Sequence, residues 1–416
     1  MSHSSASPGP PIPEPVQERG VTIAQHLARV TPRVWVTPAL AGLIVLGFGF
    51  ELSRGVSFMS PTARELLEVG GDFGPSVAEG EWWRTVSSMF LHAGLLHIAF
   101  NLWAFWQVGK FTERIFGNLP FLLIYLVSGI GGSLTSLVLH PLTVGVGASG
   151  AIFGVYGALL AFVLLHKGVL PREFLVRQRN SLFVFLGYNV VFGLTQSNID
   201  MAAHGGGLVV GMAAGALMGR DLLRPSALAA RRAGGALVIC AAVLATGWAV
   251  RRRLEALPVV KAERDADLAL VHLKARELEP AIRLYTDAIA EEPSAAWISN
   301  RGLAYLWQGD LALAEKDFRD ADAREPTPRT KGLICEVRVH ACAQPSATQV
   351  DRESAVKECS LAITLDPKNA SLYAFRASVR EDMNALTDAL ADVDEALRLD
   401  PNNELAQRMR RHILAH

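Results

Sequence analysis

Long apolar stretches dominate the first 250 residues of the chain and do not recur after them. A helix that crosses a bilayer needs about 20 mostly apolar residues. Many of the stretches contain glycine, which lets helices approach closely in a membrane. We therefore predict seven transmembrane helices. They fall at about residues 35–50, 95–113, 119–139, 148–166, 181–197, 201–219 and 234–250.

A repeated pattern begins at about residue 262. Four segments of equal length start with a small residue, carry a second alanine seven residues later and close with proline. The closing prolines are 33, 41 and 34 residues apart, and one loop insertion near 344–350 explains the long interval. The four segments are Ala281–Pro293, Ala314–Pro326, Ala355–Pro367 and Ala389–Pro401.

This pattern resembles the tetratricopeptide repeat, which has a period of 34 residues and two helices per repeat. In the second repeat, Gly302, Tyr305, Ala314, Phe318 and Ala321 fall in that family's spacing. The resemblance implies an α-solenoid in which each repeat covers the apolar face of its neighbour. A generic array of helical hairpins is the alternative.

The two patterns together predict an all-α chain, a polytopic membrane helix bundle followed by an α-solenoid. We expect residues 1–33, rich in proline and serine, to form a disordered tail. Residues 34–220 would form the membrane core, 221–260 a linker with the seventh helix, and 261–416 the repeat domain.

Composition excludes several functions. The 416 residues are 50% hydrophobic and 19% charged with zero net charge, which argues against nucleic acid as a partner. Four cysteines without a CxxC pair argue against zinc and against a disulfide scaffold. Cys335 and Cys342 would lie about 10 Å apart on a straight helix, beyond disulfide reach. No cofactor is expected.

The charges of the loops predict the orientation in the membrane. Lysine and arginine follow the second, fourth and sixth helices, but neither follows the third or the fifth. Basic loops stay in the cytoplasm, so the N-terminus is expected there. A seventh crossing then places the repeats outside the cytoplasm. Arg251, Arg252 and Arg253 directly follow the seventh helix and favour the opposite placement.

Polar side chains inside apolar helices are costly and therefore mark function. The second helix carries His97 and Asn101 one turn apart, the fourth begins with Ser149 among small residues, and the sixth carries His204. A serine beside a histidine is the minimum for nucleophilic catalysis, because the imidazole accepts the hydroxyl proton.

Five motifs in order make residues 35–220 resemble a rhomboid protease. They are Trp83–Arg84, His97-x-x-x-Asn101, Gly109-x-x-x-Glu113-x-x-x-Gly117, Gly147-Ala148-Ser149-Gly150 and Ala203-His204-x-x-Gly207-x-x-x-Gly211. The resemblance implies a Ser149–His204 dyad. It implies an oxyanion site formed by His97, Asn101 and the backbone N–H of Ser149, and it implies Phe153 stacked on the histidine where the family often has tyrosine.

Other residues near these motifs receive structural interpretations. Gly150 with Gly154, and Gly207 with Gly211, form stripes that would let the fourth and sixth helices touch. Asp200 precedes His204 by four residues, and we favour a helix N-cap over a third catalytic member. Glu113 is expected to be a structural acceptor or ion-pair partner.

His92 and His97 lack a third ligand cluster, so no metal site is expected.

We expect an endopeptidase that cuts membrane proteins in or next to a transmembrane helix, near the outer face. A catalytically inactive relative acting as a chaperone or trafficking factor is the alternative, and the presence of Ser149 and His204 argues against it. A transporter is a third possibility, but no inverted repeat is evident. Expected partners are transmembrane substrates, the lipid bilayer of a bacterial inner membrane, and a protein bound by the repeats.

Overall fold

The computed structural model describes residues 23–165, 172–195, 199–219 and 229–415. The chain divides into two compact units, Met1–Val260 and Lys261–His416. The described residues contain helices and one isolated bridge between Asp72 and Gly145, but no strand. The predicted all-helical fold is confirmed.

The first unit contains eleven α-helices within the described residues, with a short 3-10 helix, Ser88–Phe90, between α5 and α6. They are α1 (Ile23–Val30), α2 (Val36–Ser53), α3 (Ala63–Glu68), α4 (Gly74–Ala78), α5 (Arg84–Ser87), α6 (Leu95–Phe116), α7 (Asn118–Leu139), α8 (Ser149–Leu165), α9 (Arg172–Thr195), α10 (Met201–Met218) and α11 (Ala229–Ala256).

Four of the described helices, α2, α7, α10 and α11, are long and apolar enough to cross a membrane, and α6 joins them if it counts as one span with the α5 segment bent at 90° to it. The other two predicted spans are helical but do not meet that standard. Helix α8 has 17 residues, and α9 begins with a charged turn. Every residue of α8 from Gly150 to Val163 is buried, so this helix lies among other helices and need not match the lipid thickness.

The segment before the first span differs from the predicted disordered tail. Residues 23–30 form α1, and Leu27 on this helix is buried. Just beyond it, Thr31 donates a hydrogen bond to the carbonyl of Arg114 at the end of α6 (3.0 Å). The apolar face of α1 and this contact explain why residues 23–30 form a helix, although the composition of the tail predicted disorder. Residues 1–22 lie outside the described residues. So do three of the basic residues on which the predicted orientation depends, Lys167 after the fourth predicted helix and Arg220 and Arg224 after the sixth.

The second unit is an array of helical hairpins. In each hairpin the second helix carries two alanines seven residues apart, and the structure buries all eight of these alanines completely. The helices are α12 (Pro258–Lys274), α13 (Leu278–Glu291), α14 (Ala295–Gln308), α15 (Leu311–Arg324), α16 (Pro328–Cys342), α17 (Gln349–Leu365), α18 (Ala370–Asp382), α19 (Leu386–Leu399) and α20 (Glu404–Ile413). Cys335 on α16 forms a disulfide with Cys359 on α17, and Cys342 is free.

Candidate active site

Ser149 is the first residue of α8, and a glycine turn places it there. Gly147 has φ +128°, a left-handed conformation that favours glycine, and its N–H donates to the Ser88 carbonyl at 2.8 Å. A Cβ on Gly147 would lie 2.9 Å from the His97 ring. Since Ser149 opens its helix, its backbone N–H has no acceptor within the helix. The turn therefore presents both the hydroxyl and an N–H of Ser149 at the helix start.

His204 lies in the first turn of α10, which Asp200 caps. The Asp200 carboxylate accepts a hydrogen bond from the Ala203 N–H at 2.9 Å. Nδ1 of His204 is buried and has no hydrogen-bond partner among the described residues. Asp200 therefore acts as the N-cap, and no described residue accepts or donates a hydrogen bond at Nδ1 as a third member of a catalytic triad would.

The Phe153 ring stacks on the His204 imidazole. The ring centroids are 4.1 Å apart and the planes differ by 13°. Phe153 lies one turn after Ser149 on α8, so a single helix provides both the serine and the surface on which the histidine rests. This contact fixes the imidazole plane without a hydroxyl group.

Glycines bring α8 and α10 into backbone contact. A Cβ on Gly207 or on Gly211 would lie 2.0 Å from the carbonyl oxygen of Gly150 or Gly154, respectively. No side chain larger than hydrogen fits at either contact, because Cβ atoms do not approach oxygen below 3.0 Å. The glycine stripes of α8 and α10 thus face each other. Their contact begins one residue after Ser149 on α8 and three residues after His204 on α10.

His97 borders the same space as the serine. Its Nδ1 accepts a hydrogen bond from the Ala93 N–H at 3.1 Å, so we assign the ring proton of the neutral form to Nε2. The position that a Cβ on Gly147 would occupy lies 3.0 Å from Nε2 of His97 and 3.7 Å from Oγ of Ser149. The Nε2–H of His97 and the Ser149 hydroxyl therefore border the same small space around Gly147.

Asn101 lies one turn further along α6, is buried, and donates one amide hydrogen to the His97 carbonyl at 2.9 Å. An asparagine amide has a second hydrogen to donate.

Glu113 joins α6 to the start of α2. Its fully buried carboxylate accepts hydrogen bonds from the backbone N–H groups of Trp35, Val36 and Thr37 and from the Thr37 hydroxyl, at 2.7–3.0 Å. It therefore satisfies the unpaired donors of a helix N-terminus. Gly109, one turn earlier, leaves room for the Thr37 side chain.

The Trp83–Arg84 motif organises the first loop, residues 54–94 between α2 and α6. Arg84 donates to the carbonyls of Leu67 and Gly71 at 2.7 and 3.1 Å and pairs with Glu81. Its guanidinium lies 4.9 Å from the centroid of the Trp83 ring. These contacts hold the chain between α3 and α5 in place.

A buried pair escaped the sequence argument. The Glu51 carboxylate in α2 accepts a hydrogen bond from the His92 N–H at 2.8 Å, and His92 Nε2 lies 3.5 Å from the Ala148 N–H, next to Ser149. Both side chains are fully buried. A lone acid inside an apolar stretch was the available signal for Glu51. The described residues contain no group of three or more His, Cys, Asp or Glu that could hold a metal ion.

The site belongs to a helical membrane protein with a serine and a histidine on touching helices, and comparison with known proteins identifies the domain. Residues 79–221 match the family model of the Rhomboid domain. This part of the chain is therefore a rhomboid domain.

Relatives match over the same region. The chain is 39% identical to Rhomboid protease GluP of Bacillus subtilis over 200 residues, which cover 48% of this chain and 37% of that protein. It is 40% identical to the Putative rhomboid protease YdcA of the same organism over 136 residues, 32% of this chain and 66% of that one. The chain thus spans between about a third and two thirds of these relatives.

Among solved structures, an Arabidopsis OM64 TPR domain matches with 21% identity, a TM-score of 0.19, and coverage of 38% of this chain and 99% of that one. The likeness is too low to carry an argument. The assignment of repeats in this chain depends instead on its own helical hairpins and on their buried alanines.

Proposed function

We propose that the chain is an intramembrane serine endopeptidase with Ser149 as nucleophile and His204 as general base. The observation that carries the proposal is the junction of α8 and α10. The Gly150–Gly207 backbone contact and the Phe153–His204 stack bring a serine and an imidazole to the same end of two touching helices. The rhomboid domain match and the protease relatives support the same function.

The chemistry follows from these positions. His204 takes the proton of the Ser149 hydroxyl as the oxygen attacks the carbonyl of the scissile peptide bond, and later returns it to the leaving amine. The carbonyl oxygen gains negative charge in the tetrahedral intermediate. The Nε2–H of His97, the free amide hydrogen of Asn101 and the Ser149 N–H are the donors for that charge.

The substrate class follows from the setting of the site. A peptide bond inside a helix is shielded by its own hydrogen bonds, so we expect cleavage in or next to a transmembrane helix that unwinds readily. An inactive relative that only binds membrane proteins would need neither the serine, the stacked imidazole nor the donors beside them.

Alanine substitutions test the assignment. Ser149→Ala and His204→Ala should each reduce cleavage of a model transmembrane substrate by several orders of magnitude without unfolding the protein. A fluorophosphonate probe should label wild type and not Ser149→Ala. Asn101→Ala should slow the chemical step roughly 10- to 1000-fold and change substrate binding less. Normal turnover by purified Ser149→Ala would overturn the proposal.

We also infer the location of the repeat unit from the course of α11. Near its start, Arg232 donates to the carbonyls of Phe116 and Met218, at the ends of α6 and α10. Near its end, Arg251 lies 3.8 Å from the position that a Cβ on Gly80 would occupy, in the first loop. Helix α11 therefore spans the first unit from one end to the other.

The C-terminal end of α11 lies on the same side of the first unit as Ser149. The first loop contacts the serine's turn directly, through Ser88 and through the Asp72–Gly145 bridge. The basic loops favour the cytoplasm for the opposite side. We infer that residues 261–416 lie outside the cytoplasm of a bacterial cell, on the active-site side, where they would bind a protein such as the substrate's extramembrane part.

A further inference from the structure

The hairpins of the repeat unit place a large or apolar residue at one shared buried position. It is the seventh residue from the end of each second helix. Its occupants are Tyr285, Phe318, Cys359 and Val393, and none of them is exposed to solvent. Cysteine is the smallest of the four, so the third repeat fills this position least.

Repeats two and four close their hairpins with an ion pair as well. Arg301, the seventh residue of α14, makes two hydrogen bonds of 2.8 Å to Asp317 on α15. Arg376, the seventh residue of α18, bonds Asp392 on α19 at 2.9 and 2.7 Å.

Each of these arginines also donates to a hydroxyl of the preceding hairpin, Thr286 at 3.1 Å or Ser360 at 2.9 Å. These networks tie the two helices of a hairpin to each other and to the hairpin before.

The third repeat has no such pair. Ile334 is the seventh residue of α16 and carries no charge. Glu358, which precedes Cys359 as Asp317 precedes Phe318, bonds instead to Arg319 of the preceding hairpin at 3.1 Å. Within this repeat, the disulfide between Cys335 and Cys359 takes over the link between α16 and α17, with the Cα atoms 4.7 Å apart. Cys335 is the eighth residue of its helix, the position at which Gly302 meets Phe318 in repeat two.

We propose that the Cys335–Cys359 disulfide is a covalent staple that holds the third repeat closed in place of the arginine–aspartate pair. A solenoid transmits stability only between neighbours, so opening the third repeat uncouples the fourth from the first two. The inference rests on the proposed location outside the cytoplasm, because disulfides persist in oxidising compartments.

The redox step is thiol–disulfide exchange with an oxidising protein disulfide. One cysteine thiolate attacks that disulfide, and the second thiolate then displaces the partner's sulfur. The two cysteines lose two electrons and two protons, and the partner leaves as a dithiol. Reduction by a dithiol reverses the exchange and releases α16 from α17.

The test uses the full chain in lipid nanodiscs, prepared from membranes to which no reductant has been added. Maleimide labelling of the denatured protein followed by mass spectrometry should find Cys240 and Cys342 modified before reduction, and all four cysteines modified after it. Reduction should lower the unfolding midpoint of the repeat unit by about 5–10 °C, given a closed loop of this length in a unit of this size.

Two variants sharpen the result. Cys342→Ser removes a buried cysteine that is not in the bond, and it should respond to reductant as wild type does. Cys335→Gly combined with Cys359→Phe copies the Gly302–Phe318 pair of repeat two, and its unfolding midpoint should not respond to reductant.

Labelling of all four cysteines in wild type before reduction, or a wild-type midpoint unchanged by reduction, would overturn the proposal even if the double variant failed to fold. Ser149→Ala should keep the disulfide, so a failure of the protease assignment and a failure of the staple are separate results.

Discussion

Replacing Gly207 with alanine should separate α8 from α10, the two helices that carry the proposed dyad. The added Cβ would lie 2.0 Å from the carbonyl oxygen of Gly150, 2.8 Å from its carbon and 3.1 Å from its Cα. All three atoms are backbone, so no rotamer change relieves the clash. Since carbon and oxygen pack at roughly 3.4 Å in a close-packed interior, α10 must move about 1–1.5 Å away from α8.

This shift acts on the proposed dyad because His204 lies one turn before Gly207 on the same helix. A displacement of about 1 Å at a catalytic group costs on the order of 100-fold in rate. Overpacking of this kind costs about 1–3 kcal/mol of stability, which leaves a folded protein to assay. We therefore expect a loss of roughly 100-fold in kcat for Gly207→Ala with a modest fall in the unfolding midpoint.

Gly205→Ala is the matched control. Gly205 lies on the same helix two residues earlier, is exposed, and would place its Cβ in open space. Initial rates at saturating substrate in nanodiscs, measured well below the unfolding midpoint of each variant, compare the two. A Gly207→Ala enzyme within threefold of the wild-type kcat would refute the reasoning, and so would an equal loss in Gly205→Ala.

Two further predictions concern residues around the site. His92→Phe keeps an aromatic ring but removes the acceptor beside the Ala148 N–H, so labelling of Ser149 by a fluorophosphonate should slow roughly 10-fold; a rate equal to wild type would exclude a positioning role. Burial raises the pKa of the Asp72 carboxyl, which lies near Arg84 and Asp200, to about 7. The free energy of unfolding should therefore fall as the pH rises from about 4 to 7 and stay level above pH 7. Asp72→Asn should flatten that slope in unfolding measurements across pH, and an unchanged slope would place the titration elsewhere.

Local spacing predicted the parts of the site that lie within one helix turn. Gly150 and Gly154 are four residues apart, as are Gly207 and Gly211, so each pair must lie on one face of its helix, and small residues on a membrane helix mark a contact. Phe153 follows Ser149 by one turn on the same helix. The prediction that it stacks on His204 required only that the two helices be in contact. The resemblance to a known family supplied the choice of partner helix.

Contacts between distant segments were not accessible in this way. The Glu51–His92 hydrogen bond joins residues 41 positions apart, and neither periodicity nor motif spacing relates α2 to the loop before α6. The disulfide is a similar case. Cys335 and Cys342 share a helix and drew attention, but the bond crosses to Cys359 beyond the insertion, which only the packing of α16 on α17 reveals.

The three arginines in the last two turns of α11 and the contacts of that helix favour opposite sides of the membrane. Arg251, Arg252 and Arg253 would favour the cytoplasm, yet the end of α11 lies against the first loop, on the side of Ser149. Arg252 lies over the Trp248 ring, and tryptophan anchors helices at either membrane interface.

Since α11 contacts the ends of α6 and α10 near its start and the first loop near its end, we propose that it crosses the membrane. We therefore expect a reporter that is active only in the cytoplasm to be silent when fused after His416. The same reporter fused after Met218, at the opposite end of the bundle, should be active. Activity of both fusions would show that α11 does not cross, and the repeats could not then reach a substrate on the active-site side.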